Sequence, residues 1–344
     1  MSSLISSPPN TTFLMSNLYE GVLALLDKCQ NLEVGKPPCQ NPFLNKDVNI
    51  ILNSHDSLDE IFKLCNSDKK YKVTDLINCL KSVNVTVKKE DIFLKGKKLI
   101  IGGEDFTFQL MKADRYQGYA VMESGLINEQ VTVYTDIFSA YLFFLGLQSA
   151  YITSLGSDYY FLYFDAGSLN DALQNPTSWL SLKRTVSDNI NEVLRTIRAL
   201  NDEVVITSIM LNSVIANALS KFQSVELRLL KMTNEGRAYK IYEELLITLF
   251  SDSPLYRNKE LISSLETSFK ALLPSAGRFL NGEDKTNEGY HAYKAISWLY
   301  KYLITWQTEH LANFMREFAE ADKISTNNNG KGYKVLMGYT LKWD

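Results

Sequence analysis

The chain is expected to fold as an α+β protein: a mixed N-terminal domain of antiparallel β-hairpins and helices, then an all-helical C-terminal bundle. Three observations predict this. From Val83 to Met122 short alternating or apolar runs are separated by Gly and charged residues, the texture of strands and hairpins. From about Ser178 onward apolar residues recur at helical spacing. Between the two, an uncharged aromatic stretch joins a helix to a buried strand. With 344 residues, 45% of them hydrophobic, the chain can bury a large core and divide into two domains. The expected boundaries are 1–170 for an α+β domain, 171–326 for the helical bundle, and 327–344 for a terminal loop and strand.

Residues 1–12, rich in Ser, Pro and Asn, read as a tail. Asn17–Gln30 then reads as a helix, with Leu18, Val22, Leu25 and Leu26 on one face. Gly35–Pro42 holds Pro37, Pro38 and Pro42, which remove backbone donors and fix φ, so it reads as a loop. Helices are predicted over Asn49–Cys65 and Val73–Leu80. Val83–Val87 alternates like a strand, and Asp91–Ile101 reads as a two-residue β-hairpin turning at Lys95-Gly96. Phe106–Met111 and Tyr116–Met122 are further expected strands. A helix over Ile137–Leu155, a Gly156-Ser157-Asp158 turn, a strand over Tyr159–Phe164 and a turn at Asp165-Ala166-Gly167 complete the first half. Helices follow near Ser178–Leu200, Val205–Lys231, Arg237–Leu249, Lys259–Leu272 and Tyr290–Ala321, punctuated by Asp202, Pro254 and Pro274. Asn327–Gly332 is a loop, and Tyr333–Trp343 alternates like a last strand.

The helix at Ile137–Leu155 runs nineteen residues without a charge, roughly 28 Å at the helical rise and nearly a bilayer's width. Ser139, Gln148, Ser149, Thr153 and Ser154 dilute its apolarity, and a polar turn follows directly. A central core helix, apolar on nearly all sides because protein surrounds it, is the better reading. The start MSSLISSPPNTTF lacks a basic region followed by an apolar block, so a cytoplasmic protein without a membrane partner is expected.

The net charge of −3 excludes a freestanding, strongly basic DNA binder. Cys29, Cys39, Cys65 and Cys79 are separated by 9, 25 and 13 residues, not the two to four of a zinc knuckle. His55, His291 and His310 share no spacing, so no metal-dependent nuclease is written in them. Gly102-Gly103-Glu104-Asp105 between two apolar runs looks like the hairpin of palm-type nucleotidyl cyclases and polymerases, whose paired carboxylates hold Mg²⁺. Such a palm also needs an upstream Asp on a strand followed by a helix, and Val83–Leu94 offers none. A plain hairpin turn accounts for the same residues.

Basic residues form two groups. Lys88, Lys89, Lys95, Lys97 and Lys98 gather on the expected hairpin, with Lys112, Arg115 and Gln117 after it. Lysines at a hairpin tip reach phosphates, and Gln reads base edges; edge lysines that discourage strand pairing are the alternative. Arg184, Arg195 and Arg198, 11 and 14 residues apart, share a helix face that can guide a displaced DNA strand or is simply solvated.

The stretch Asp136–Leu169, DIFSAYLFFLGLQSAYITSLGSDYYFLYFDAGSL, carries a "LGL…A" helix running into a "G-x-D-Y-Y-F" strand. With helices after it, this unit resembles the large subunit of archaeal type I-A CRISPR Cascade. The resemblance covers about two thirds of the chain, strongest here. It implies an antiviral-defense protein with no catalytic, metal or cofactor site of its own. Its expected partners are the crRNA, target double-stranded DNA, the backbone and small Cascade subunits, and the CRISPR nuclease–helicase. Such a subunit sits near the 5′ handle of the crRNA, recognises the protospacer-adjacent motif, and assists R-loop formation and nuclease–helicase recruitment. Base pairing then reads the sequence while protein reads only the short motif. The family's motif-reading residues follow no signature that maps onto this chain, so none is transferred. A helical scaffold protein unrelated to CRISPR is the alternative reading, and the palm enzyme a second.

Overall fold

A computed structural model describes residues 13–30, 93–95, 98–100, 137–234, 239–253, 256, 258–327 and 333. The chain divides into two compact units, Met1–Ser181 with Glu226–Leu246, and Leu182–Val225 with Ile247–Asp344. Its class is α+β, with a four-stranded antiparallel sheet and a set of C-terminal helices. Among the described residues no single helix is long and apolar enough to cross a membrane.

The first unit is built on helix α1 (Phe13–Gln30), helix α2 (Ile137–Ala150) and the sheet. A separate hairpin pairs β1 (Phe93–Lys95) with β2 (Lys98–Ile100). β3 (Tyr151–Leu155) and β4 (Asp158–Phe164) form a second hairpin, in which Gly156 takes a φ of 63° at the first of two turn positions. Glycine is favoured there because a side chain resists positive φ. The expected helix over Ile137–Leu155 therefore ends at Ala150. Ile152 and Thr153, β-branched, continue as a strand paired with β4.

β4 is buried on both faces, which explains its unbroken apolar run. On one face Phe161 and Tyr163 meet the edge of Phe13 at 5.7 and 6.2 Å between ring centroids. On the other, Phe164 packs edge-on against Trp179 at 5.7 Å. α1 and α2 cross backbone to backbone. A Cβ at Gly21 would overlap the Leu142 carbonyl oxygen, and one at Gly146 the Asn17 carbonyl oxygen. Helix α3 (Ala166–Gln174) begins at the position of the expected turn, with Ser168 and Leu169 N–H donating to the Asp165 carbonyl.

β4 pairs antiparallel with β5 (Ser224–Asn234), and β6 (Tyr239–Phe250) lies beyond it at the sheet edge. Helical spacing predicts helices here instead, over Val205–Lys231 and Arg237–Leu249. Leucines, Glu and Lys favour a helix locally, but pairing with a buried aromatic strand overrides that preference. In β6 the period of two is plain: Leu245, Ile247 and Leu249 are buried while Leu246, Thr248 and Phe250 are exposed.

The second unit is helical. Helix α4 (Pro176–Ile197) enters it at Leu182 and carries Pro176 at its first position, where the missing N–H costs nothing. α5 (Asp202–Leu211), α6 (Ser213–Leu219) and α7 (Lys259–Leu280) are each capped by an asparagine. Asn201, Asn212 and Asn258 accept from backbone N–H groups of the first turn at 2.9–3.1 Å. α7 continues through Pro274, past the expected end at Leu272, because Leu273, Ala276 and Gly277 remain packed. The single helix expected over Tyr290–Ala321 is two, α8 (Glu288–Thr305) and α9 (Thr308–Asn327), which pack on each other. Between them Trp306 takes a left-handed φ of 59° and its N–H closes on the Tyr302 carbonyl at 2.7 Å.

Candidate nucleic-acid interface

Lys95 and Lys98 are cross-strand partners in the β1–β2 hairpin. Gly96 and Lys97, between them, lie outside the described residues. Lys88, Lys89, Lys97, Lys112, Arg115 and Gln117 lie outside the described residues, as do Gly102–Asp105, His55, Cys39, Cys65 and Cys79. Cys29 lies in α1.

The arginine stripe is partly brought together. Arg184 and Arg195 are both exposed on α4, with exposed Asp188 on the same face between them. Arg195 Nε donates to the Asn191 side chain at 2.9 Å. Arg198 lies one residue beyond α4, at a φ of 54°, and its guanidinium meets Glu283 at 3.9 Å with both side chains exposed. Lys183, beside Arg184 in sequence, is buried.

Sequence reasoning missed a polar and aromatic corner in the second unit. There α4 and α7 end and α8 begins. Gly277 lies against the backbone of Thr196 and Ile197, and Asn281 donates to the carbonyls of Ile197 and Gly277 at 2.9 and 2.8 Å. Buried Glu288 accepts from Ser275 Oγ at 2.8 Å and Tyr333 Oη at 2.7 Å, and pairs with Arg278 at 3.1 Å. Burial pushes the Tyr333 phenol up to about 12; the Ser275 hydrogen bond opposes this and Glu288 adds to it.

One turn along α8, His291 Nδ1 and Glu317 lie 2.7 Å apart, and Lys294 and Arg316 approach the other Glu317 oxygen at 3.7 and 3.5 Å. Burial would raise the Glu317 carboxyl, but the His291 hydrogen bond and the Lys294, His291 and Arg316 charges together hold it below the ordinary value. Lys294 is raised, first by its hydrogen bond to Tyr290 and then by Glu317.

The N–H groups of Thr286 and Tyr290 donate to Asp284 at 3.2 and 2.9 Å. Against the effect of its partial burial, these bonds and one from Gly289 lower the Asp284 carboxyl. The first turn of α8 is thus capped internally. Tyr290 stands at the surface of this corner, with Phe279 edge-on at 5.5 Å and Lys294 Nζ 5.0 Å from its ring centroid.

Among the described residues no three His, Cys, Asp or Glu side chains converge to hold a metal ion. The carboxylates here are engaged with cations and hydroxyls. What the surface offers a ligand is guanidinium and ammonium donors beside an aromatic face.

No family model matches the chain, and no solved structure matches it. It is similar to an uncharacterized protein of Archaeoglobus fulgidus, 26% identical over 379 aligned positions that cover 97% of this chain and 96% of that protein.

Proposed function

We propose that the protein is the non-catalytic large subunit of a type I-A CRISPR RNA-guided interference complex. In this reading it binds near the crRNA 5′ handle, recognises the protospacer-adjacent motif on duplex DNA, assists R-loop formation and recruits the nuclease–helicase. The observation that carries the reading is the Asp136–Leu169 unit. Its aromatic strand lies at the centre of the first unit, and the pattern resembles that family's. A full-length relative in an archaeon is in keeping with it. Lys95 and Lys98, cross-strand partners in the β1–β2 hairpin, are the proposed duplex contact, and Arg184, Arg195 and Arg198 the proposed guide for the displaced strand. The protein works in the cytoplasm, on crRNA and target DNA held by the other Cascade subunits.

Charge reversal of Lys95, Lys97 and Lys98 to Glu in the assembled complex tests the duplex contact. Target affinity is expected to fall, and the log–log salt slope to flatten by about 0.9 for each phosphate no longer neutralised. Equal affinity for both complexes at several salt concentrations rules the hairpin out.

A further inference from the structure

We infer that the corner formed by the ends of α4 and α7 and the start of α8 binds single-stranded nucleic acid, with Tyr290 as the platform on which a base stacks. The inference rests on the nucleic-acid part of the function proposed above and adds a site to it. Its first ground is the state of the tyrosine. Tyr290 is 39% exposed although it lies among packed aromatics. Phe279 meets it edge-on, the His291 ring lies 5.3 Å away, Lys294 sits over the ring, and its own N–H is held by Asp284. A side chain fixed on so many sides loses little freedom when a ligand stacks on it.

The second ground is how the surrounding cations are held. Two carboxylates beneath the surface, Glu288 and Glu317, anchor cations whose side chains remain 47% (Arg278), 41% (Lys294) and 64% (Arg316) exposed. Burying a carboxylate is costly unless it is paired; Glu288 is met by Arg278 at 3.1 Å and Glu317 by His291 at 2.7 Å, with Lys294 and Arg316 drawn to its other oxygen at 3.7 and 3.5 Å. These contacts also fix where the cations stand. Arg278 and Arg316 each make these contacts through Nη2, one nitrogen of a guanidinium that has three, and the fork geometry directs the other donors elsewhere. Arg195 and Arg198 are exposed at and just beyond the end of α4, Arg198 paired with the exposed Glu283.

A tyrosine ring 39% exposed beside positioned cations suits a nucleotide whose base is unstacked and whose phosphate is charged, the base stacking on the part of the ring that Lys294 does not cover. A duplex presents phosphates but hides its base faces, so it would use the cations and not the ring.

The test is fluorescence anisotropy of the full-length protein with a labelled oligothymidylate of about 20 nucleotides, longer than one such site. It is run over a series of salt concentrations, with thermal melts to show that each variant is folded. Tyr290→Ala is expected to raise Kd about tenfold by removing the stacked base, and to reduce the salt slope by at most about 0.7, the single contact of Lys294, which rests on this ring. Tyr290→Phe keeps the ring and is expected to bind like the parent. Arg316→Ala is expected to reduce the slope by about 0.7, one single-strand phosphate contact. Equal Kd for the parent and a folded Tyr290→Ala, or no binding by the parent, overturns the site. Should the natively isolated protein carry a guide RNA while oligothymidylate binding ignores Tyr290, the site fails and the RNA-guided function stands. If binding depends on Tyr290 but the isolated protein carries no guide RNA, the site stands and the RNA-guided function fails.

Discussion

An alanine methyl at Gly21 has nowhere to go, because the Leu142 carbonyl oxygen already occupies its position; at Gly146 the obstacle is the Asn17 carbonyl oxygen. In an open helix, Gly→Ala would stabilise by about 1 kcal/mol. Here the sign reverses, since backbone cannot swing aside as a side chain can. Gly21→Ala or Gly146→Ala is expected to destabilise the fold by about 1–3 kcal/mol, as overpacking does. Urea unfolding followed by circular dichroism measures it, and an unchanged midpoint would show that the two helices do not touch in this way.

Glu317 gives a pH-dependent prediction at the same scale. Its carboxyl is held below the ordinary value, so the stability it adds is present above its unfolded pKa and is lost as pH falls through its folded one. Glu317→Gln is expected to be less stable than the parent at neutral pH, with the gap closing as the pH drops below about 4, the ordinary glutamate range. Chemical denaturation at a series of pH values reads this directly. A gap that persists in acid would mean that packing, and not charge, is what the substitution removes.

Among the elements, the junction of α4 and α7 is held by the close approach of Gly277 to Thr196 and Ile197 and by one side chain. Asn281 donates to two carbonyls, one at the end of each helix. Asn281→Ala removes the bond to the Ile197 carbonyl, while the Gly277 carbonyl keeps the residue 281 backbone N–H, a loss of about 1–3 kcal/mol where the Ile197 group is shielded from water. Hydrogen exchange is expected to quicken at the last turns of α4 and α7 while α9 keeps its protection. Uniform change across all helices would contradict a local latch.

How far each element can be read from the sequence follows from where its specifying forces lie. β4 is legible because burial on both faces makes its whole run apolar. α4 is legible because Pro176 marks its start and its period is clear. β5 and β6 are not, since Leu227, Leu229, Leu230, Glu243 and Glu244 are good helix formers, and only a neighbouring strand makes them extended. The β-branched Ile241, Ile247 and Thr248 are the available signal. The break between α8 and α9 has no Gly or Pro to mark it. Trp306, a bulky residue, adopts the left-handed conformation, with its ring against Tyr302 at 5.6 Å.

At the scale of the whole molecule, the α+β class is legible and the candidate site only in part. Helical spacing is enough to place Arg184 and Arg195 on one exposed face, and the same spacing sets Asp188 between them, an acid that interrupts the stripe. The corner around Tyr290 gathers residues from four helices, α4, α7, α8 and α9, and from the chain after α9, a meeting that packing creates and no local pattern records. The same limit applies to function. The family resemblance is carried by one helix–hairpin unit, while the partners it implies are RNA, DNA and other proteins. The most direct test is therefore to isolate the protein from its native host under mild conditions, extract the bound nucleic acid and sequence it. A discrete class of short RNAs with a uniform 5′ end, derived from a repeat-and-spacer array, is the predicted result. Protein that is intact and in complex with other subunits, yet carries no RNA or only random fragments, would contradict the central claim.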